Sequence, residues 1–358
     1  MILARLDLSH LRLFDRLRME PSPGLNLITG PNASGKTSLL EGIHLLATGR
    51  SFRSPRIGPL IRRGEPTVMV TGRLRGPSGE TVHLGIRKGA RGTHARIQGR
   101  RVRAQTELAR LFPVQVIHPD SHELLAGPPG ERRGFLDWGL FHSEADYLGI
   151  LQGYRRALNQ RNEALRLGAP DRILAAWEQE MDRHTRPLDR FRRDYLQALA
   201  DAASTLRSWL PVEGALEWQY RPGWREGEDL VEVLAQGRGR EREMGYTLWG
   251  PHRAEVIFRH EGVSLSQEAS RGQQKTAVLL LRLAQVVLHR RRTGLPVVVM
   301  VDDLASELDP ARRAGTLDLL RNLGCQVFMT ALQGDTLDLS GWEEMRMFHV
   351  EHGRLRED

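Results

Sequence analysis

The chain opens on alternation. Residues 1–14, MILARLDLSHLRLF, set an apolar side chain at nearly every second position, the period of a half-buried strand. LNLIT (25–29) is a short apolar run of buried-strand length, and KTSLLEGIHLLATG (36–49) reads as an apolar helix closed by Gly49. The first 50 residues therefore predict strand, strand, strand, loop, helix. Residues 66–103 alternate again between Gly-rich turns and predict β-hairpins, and FPVQVIHP (112–119) predicts one more short strand.

The period then changes. From Ser143 to Leu210 apolar residues recur at helical spacing, at Leu151, Tyr154, Leu158 and Leu165, then at Ile173, Leu174 and Trp177. GAPD (168–171) is a turn that offers Asp171 as the N-cap of the next helix. AQGRGREREMG (235–245), polar and Gly-rich, predicts a mobile loop. Strand signals resume with YTLWGPHRAEVIF, followed by an apolar helix, PVVVMVDD, RNLGCQVFMTA and a terminal hairpin, MRMFHVEHGRL. The expected architecture is an α/β lobe made of residues 1–118 and 246–358, with a helical domain, residues 119–245, inserted between.

Composition narrows the class. A hydrophobic fraction of 40% and a charged fraction of 27% are those of a soluble globular protein. No run approaches the ~18 apolar residues of a membrane helix. The opening alternation is unlike a signal peptide, and the single cysteine, Cys325, allows no internal disulfide, so a cytosolic location is expected. The net charge is +8, and lysine occurs only at positions 36, 88 and 275. Arginine thus carries nearly all the positive charge. That suits phosphate and base recognition, and it equally suits a genome rich in arginine codons.

GPNASGKT (30–37) fits G-x-x-x-x-G-K-[ST], with a buried strand before it and a helix after it. In such a loop the backbone of Gly30, Pro31, Asn32, Ala33, Ser34 and Gly35, running into Lys36, Thr37 and Ser38, cradles the phosphates of ATP. Lys36 reaches the β- and γ-phosphates, and the Thr37 hydroxyl helps hold Mg²⁺. An acidic partner is required at the end of a neighbouring strand, and PVVVMVDD supplies Asp302 for Mg²⁺ and Asp303 to orient or deprotonate an attacking water. Lys36 and Asp302 lie 266 residues apart, with the helical domain between them.

That order resembles the layout of ABC-type ATPases. SRGQQ, from Ser270 through Arg271, Gly272 and Gln273 to Gln274, resembles their signature, and SELD, with Ser306 and Asp309, resembles their D-loop. The resemblance implies nucleotide held between two heads arranged head to tail, with the signature of one subunit on the γ-phosphate bound by the other. A transporter ATPase subunit shares this core. SMC-type proteins share the head, but their coiled-coil arms need hundreds of residues. Three further stretches, PDSHELLAGPPGERRGFLDWGLF (119–141), GRSFR (49–53) and GPHRAE (250–255), are similar to those of the RecF recombination-repair proteins, which have SMC-like heads without long arms.

Membership of that family implies ATP-dependent binding to gapped or junction DNA, action with RecR and RecO in placing RecA, and slow hydrolysis used as a timer. A structural scaffold and a transporter subunit are the competing readings. Asp303 stands where many ABC ATPases have Glu, and Thr330, Ala331 and Leu332 stand where a switch histidine is usual, so fast hydrolysis is not expected. Gln115 is either a Q-loop glutamine or an ordinary strand residue. Between Glu80 and Glu107 no acidic residue occurs, while Arg87, Lys88, Arg91, Arg96, Arg100, Arg101 and Arg103 do. That cluster is either a DNA-backbone contact or a solvated hairpin. His118 and His122 are separated by Pro119, which argues against a helix presenting both to a metal.

Overall fold

The computed structural model describes residues 1–210, 216–303, 308–332, 334 and 337–357. The N-terminal part runs β1 (Ile2–Leu11), β2 (Phe14–Met19), β3 (Leu25–Thr29), α1 (Lys36–Thr48), β4 (Thr67–Arg75), β5 (Thr81–Gly89), β6 (Gly92–Ile97), β7 (Arg100–Arg101), α2 (Gln105–Leu111) and β8 (Val114–Ile117). Next come α3 (Glu123–Ala126), α4 (Pro129–Ser143), α5 (Tyr147–Arg166), α6 (Asp171–Ser204), β9 (Leu216–Arg221) and α7 (Leu230–Met244). The chain then continues through β10 (Glu255–His260), β11 (Val263–Ser264), α8 (Arg271–Thr293), β12 (Val298–Val301), α9 (Pro310–Leu323), β13 (Val327–Thr330), β14 (Met345–Glu351) and β15 (Arg354–Glu357).

Two six-stranded sheets share one core. The first is antiparallel in the order β2-β1-β4-β5-β6-β7; the second, ordered β15-β14-β3-β13-β12-β8, is parallel except for β15. All five residues of β3 are buried, as an interior parallel strand requires. Helix α1 packs against β1, β4 and β5 of one sheet and β13 of the other, burying Leu39, Leu40, Ile43 and Leu46. Its close approach depends on Gly72, where a Cβ would sit 2.4 Å from the Leu46 side chain.

The chain divides into two compact units at places other than those the sequence suggested. One comprises residues 1–121, 206–211 and 289–358, the other 122–205 and 212–288. Residues 246–288, expected in the α/β lobe, group with the helices. Strand β10 pairs with β9, a strand that the sequence pattern did not announce, and Gln285 donates to the Phe135 carbonyl at 2.8 Å and to the Tyr195 hydroxyl at 3.1 Å.

Residues 235–245 are not a loop: 235–244 belong to helix α7 and Gly245 ends it. Asp229 caps the helix through the Val231 amide at 2.8 Å, and buried Glu241 accepts from Arg161 at 2.6 Å. Gly237 is there for space: a Cβ would fall 2.1 Å from the Trp249 ring. Asp171 is the first residue of α6 rather than its cap, and it pairs with Arg242 and Arg238 on α7 at 2.8 and 3.3 Å.

Candidate functional site

The loop between β3 and α1 turns on backbone that only small residues adopt easily. Gly30 has φ of 140°, Gly35 of 119° and Ala33 of 62°. A Cβ on Gly30 would lie 2.2 Å from the Val350 carbonyl oxygen, and one on Gly35 2.9 Å from the Phe14 ring. Lys36 folds back over this loop and donates to the carbonyls of Gly30 at 2.6 Å and Pro31 at 2.9 Å. Ser34 and Ser38 are buried, and Ser34 Oγ has no hydrogen-bond partner among the described residues. No side chain caps α1, so its first amides lack helical acceptors.

Strand β12 delivers Asp302 beside this loop. Asp302 is 7% exposed, and its Oδ1 accepts from the Thr37 hydroxyl at 3.0 Å and the Thr330 hydroxyl at 2.7 Å. Thr330 also accepts from the Asp303 amide at 2.9 Å, fixing Asp303 in a left-handed conformation with φ of 57°. Burial pushes the Asp302 carboxyl pKa up, opposed by the two threonine hydroxyls. Burial also lowers the Lys36 ammonium pKa, opposed by Asp303 and Asp302. An orphaned buried hydroxyl, a lysine over a tight loop and a hydroxyl–carboxylate pair fit a phosphate chain with a hard cation such as Mg²⁺. In the sequence Thr330 marks only the absence of a histidine; its role depends on β13 lying next to β12, which no local pattern reveals.

Ser270 caps α8 in a reciprocal box, donating its amide to Gln273 Oε1 at 2.9 Å and accepting from the Gln273 amide at 3.3 Å. Ser270, Arg271, Gly272 and Gln273 are exposed, while half-buried Gln274 turns in and donates to the Leu265 carbonyl at 2.9 Å. A Cβ on Gly272 would meet only Ser270 Oγ, at 3.9 Å, so this end of the helix is open to a ligand. Asp309 caps α9 through the Arg312 amide at 2.9 Å and pairs with its guanidinium at 2.8 Å. Ser306 lies outside the described residues. Gln115 lies inside β8, 2% exposed and opposite Val299.

The basic cluster divides by strand register. Arg87, Arg96 and Arg101 share the outer face of the antiparallel sheet, since Arg87 pairs with Met69 and Arg96 with Gly85 and Arg101. The same face carries Arg5 and Arg73, which pair with each other, and Arg18, opposite Asp7. Sequence reasoning missed those three, although the alternation in LARLDL, RLRM and GRLR carries the signal. Arg5, Arg73 and Arg96 border a concavity of about 410 Å³ floored by Gly72 and Gly85. Lys88 leaves the cluster: it points inward, donates to the Gly49 carbonyl at 2.8 Å at the end of α1, and has its pKa lowered by burial. Arg91 is exposed at the β5–β6 turn, Arg100 reaches Glu107 at 3.6 Å, and the Arg103 amide donates to Glu107 at 2.9 Å.

Residues 2–356 match the family described as RecF/RecN/SMC N-terminal domain. The fold is also that of the Smc head domain of Pyrococcus furiosus, with a TM-score of 0.60 at 15% identity, covering 99% of this chain and 95% of that one. Fold and loop together define an ATPase head of the RecF/SMC class. Within it, the chain is 47% identical over 357 residues to the DNA replication and repair protein RecF of Thioalkalivibrio sulfidiphilus (strain HL-EbGR7), covering 99% of each. It is 41% identical over 360 residues to the RecF of Pseudomonas aeruginosa (strain LESB58), covering 99% of this chain and 97% of that one. A solved structure described as the recombination mediator protein RecF-ATP in the RecFOR pathway matches with a TM-score of 0.88 at 25% identity, covering 99% and 97% of the two chains. The chain belongs to the RecF family. Among the described residues no helix is long and apolar enough to cross a membrane.

Proposed function

We propose that the protein is an ATP-dependent DNA-binding switch in the repair of gapped DNA. The observation that carries this reading is the joining of the β3–α1 loop to Asp302 through the Thr37 hydroxyl at 3.0 Å. Lys36 would hold the β- and γ-phosphates, and Thr37 with Asp302 would hold Mg²⁺. Asp303 would orient the water that ends the bound state. Aspartate in that position, one methylene shorter in reach than glutamate, suits slow turnover. The signature, Ser270 to Gln273, would close on the γ-phosphate held by a second copy, so that ATP joins two heads.

DNA would track the outer arginine face, where contacts to phosphates give affinity without sequence preference. A solved structure described as RecF-ATP in the RecFOR pathway supports RecO and RecR as partners; placement of RecA on gapped DNA would be the outcome.

The test is the solution mass by light scattering with Mg²⁺, with and without ATP, using Lys36→Met as the control that cannot bind nucleotide. A shift from monomer to dimer only with ATP, absent in Lys36→Met, is the expected result. A mass unchanged by ATP under conditions where ATP is shown to bind overturns the two-headed site.

A further inference from the structure

Two stretches that carry the family likeness, 119–141 and 250–255, have no part in the nucleotide site. They meet in a pocket of about 380 Å³ within the helical unit. Helix α4 lends it Gly130 and Gly134, one turn apart. A Cβ on Gly134 would meet nothing within 4 Å, and one on Gly130 only Arg133 Nη2, at 4.0 Å. A glycine face near the start of a 15-residue helix lets a ligand approach backbone and the positive end of the dipole.

The charged lining is unbalanced. Arg133, Arg155 and Arg192 line the pocket, and among the described residues the only carboxylate lining it is Asp137. Asp137 accepts from Arg155 at 3.2 Å and from the Tyr147 hydroxyl at 2.5 Å, with Arg192 at 3.5 Å. Arg192, 2% exposed, gives another donor to the Pro251 carbonyl at 2.8 Å. Arg133 gives Nη1 to the Ala254 carbonyl at 3.0 Å. His252 adds no charge: its Nε2 faces the Thr247 carbonyl at 3.1 Å and its Nδ1 the Tyr154 hydroxyl at 2.7 Å, a neutral ring between an acceptor and a donor. Its pKa falls to about 4, chiefly by burial. Three guanidiniums against one carboxylate leave the pocket two positive charges. Arg133 registers the crowding, its pKa lowered by burial and then by Arg192.

We propose that this pocket binds a terminal phosphate of a nucleic-acid strand, with Arg133 and Arg155 as its ligands and Arg192 as the buried charge behind them. A phosphate monoester carries about −1.5 to −2 at neutral pH and matches the unbalanced charge; an internal phosphodiester carries a single negative charge and matches half of it. The proposal rests on the DNA-binding reading above, so the experiment separates the two.

The probes are one duplex prepared with hydroxyl ends, with 5′-phosphate ends or with 3′-phosphate ends, and inorganic phosphate alone. Affinities are measured by fluorescence anisotropy and calorimetry at fixed salt and fixed nucleotide. Binding of the hydroxyl-ended duplex reads the DNA-binding function independently. The expected result is about tenfold tighter binding of one phosphorylated duplex, the size of one charged hydrogen bond. Arg155→Gln and Gly134→Glu remove that increment and leave the hydroxyl-ended affinity in place. Gly134→Glu adds a carboxylate at an open helical position and gains helix propensity, so it folds; Gly134→Gln is its uncharged control. Equal affinities for all three duplexes overturn the proposal, as does an increment that survives Gly134→Glu. Inorganic phosphate bound by the wild type and lost in Gly134→Glu, without any duplex increment, also overturns it and makes the pocket a site for free phosphate.

Discussion

Thr330 shows how much one hydroxyl can do. It donates to Asp302, accepts from the Asp303 amide, and so sets both acids of the site from a neighbouring strand. Asp302 is held where burial disfavours its charge. The direction of its pH dependence follows. A carboxyl whose pKa is raised on folding ionises more readily in the unfolded chain. It therefore destabilises the fold once pH rises past the unfolded value of about 3.9, and the cost persists at neutral pH. Asp302→Asn keeps an acceptor oxygen and removes the charge. Without nucleotide it should raise Tm by roughly 2–4 °C at pH 7, about 1 kcal/mol for a unit of this size, and leave Tm unchanged near pH 3. Differential scanning fluorimetry across that range decides it; a gap that is widest at pH 3 would show that charge burial is not the cause.

At the scale of elements, α7 is the instructive departure. Gly237, Gly239 and dense charge argue locally for a loop, yet tertiary contacts override propensity. Arg161 is fully buried between Glu178 at 3.0 Å and Glu241 at 2.6 Å, and Arg238 of α7 donates to Glu178 at 3.0 Å. Arg161→Met would leave buried Glu241 with the Leu248 amide but without its guanidinium, and Glu178 with Arg238 alone, a loss of about 3–5 kcal/mol. Urea unfolding followed by far-UV circular dichroism should show α5, α6 and α7 melting early; a midpoint within error of wild type would mean the acids protonate or reach water at no cost. The antiparallel sheet is the opposite case. Its two-residue alternation was legible, and with it one face for Leu6 and Leu8 and the other for Arg5 and Asp7; Leu3 joins the inner face only because the register shifts between Leu3 and Arg5.

Two expectations belong to the whole molecule. Ser270→Arg puts a bulky cation on the open end of α8. It should leave ATP binding by the isolated head intact while abolishing the ATP-dependent rise in mass; a mutant that dimerises normally removes the signature from the subunit contact. Arg73→Gln with Arg96→Gln removes two cations from the outer face. If DNA lies there, the slope of log affinity against log salt should become shallower by about 2, close to one unit for each phosphate left without its arginine. An unchanged slope places the DNA elsewhere.

Reading along the chain was enough for the class of fold, the tight Gly-rich turn between β3 and α1, the buried strand that runs into Asp302 and the apolar helix that begins at SRGQQ. Each is local: a turn rich in glycine, a buried strand followed by acid, the start of an apolar run, a period of two or of 3.6. Whatever depends on distant chain had to wait for the folded arrangement. That arrangement drew residues 246–288 into the helical unit through β9 and Gln285, turned Lys88 inward to cap α1, and joined Arg5, Arg18 and Arg73 to Arg87, Arg96 and Arg101. The physical reason is the same in each case. Spacing along a chain fixes which face of its own element a side chain takes, whereas strand order and register fix what that face meets.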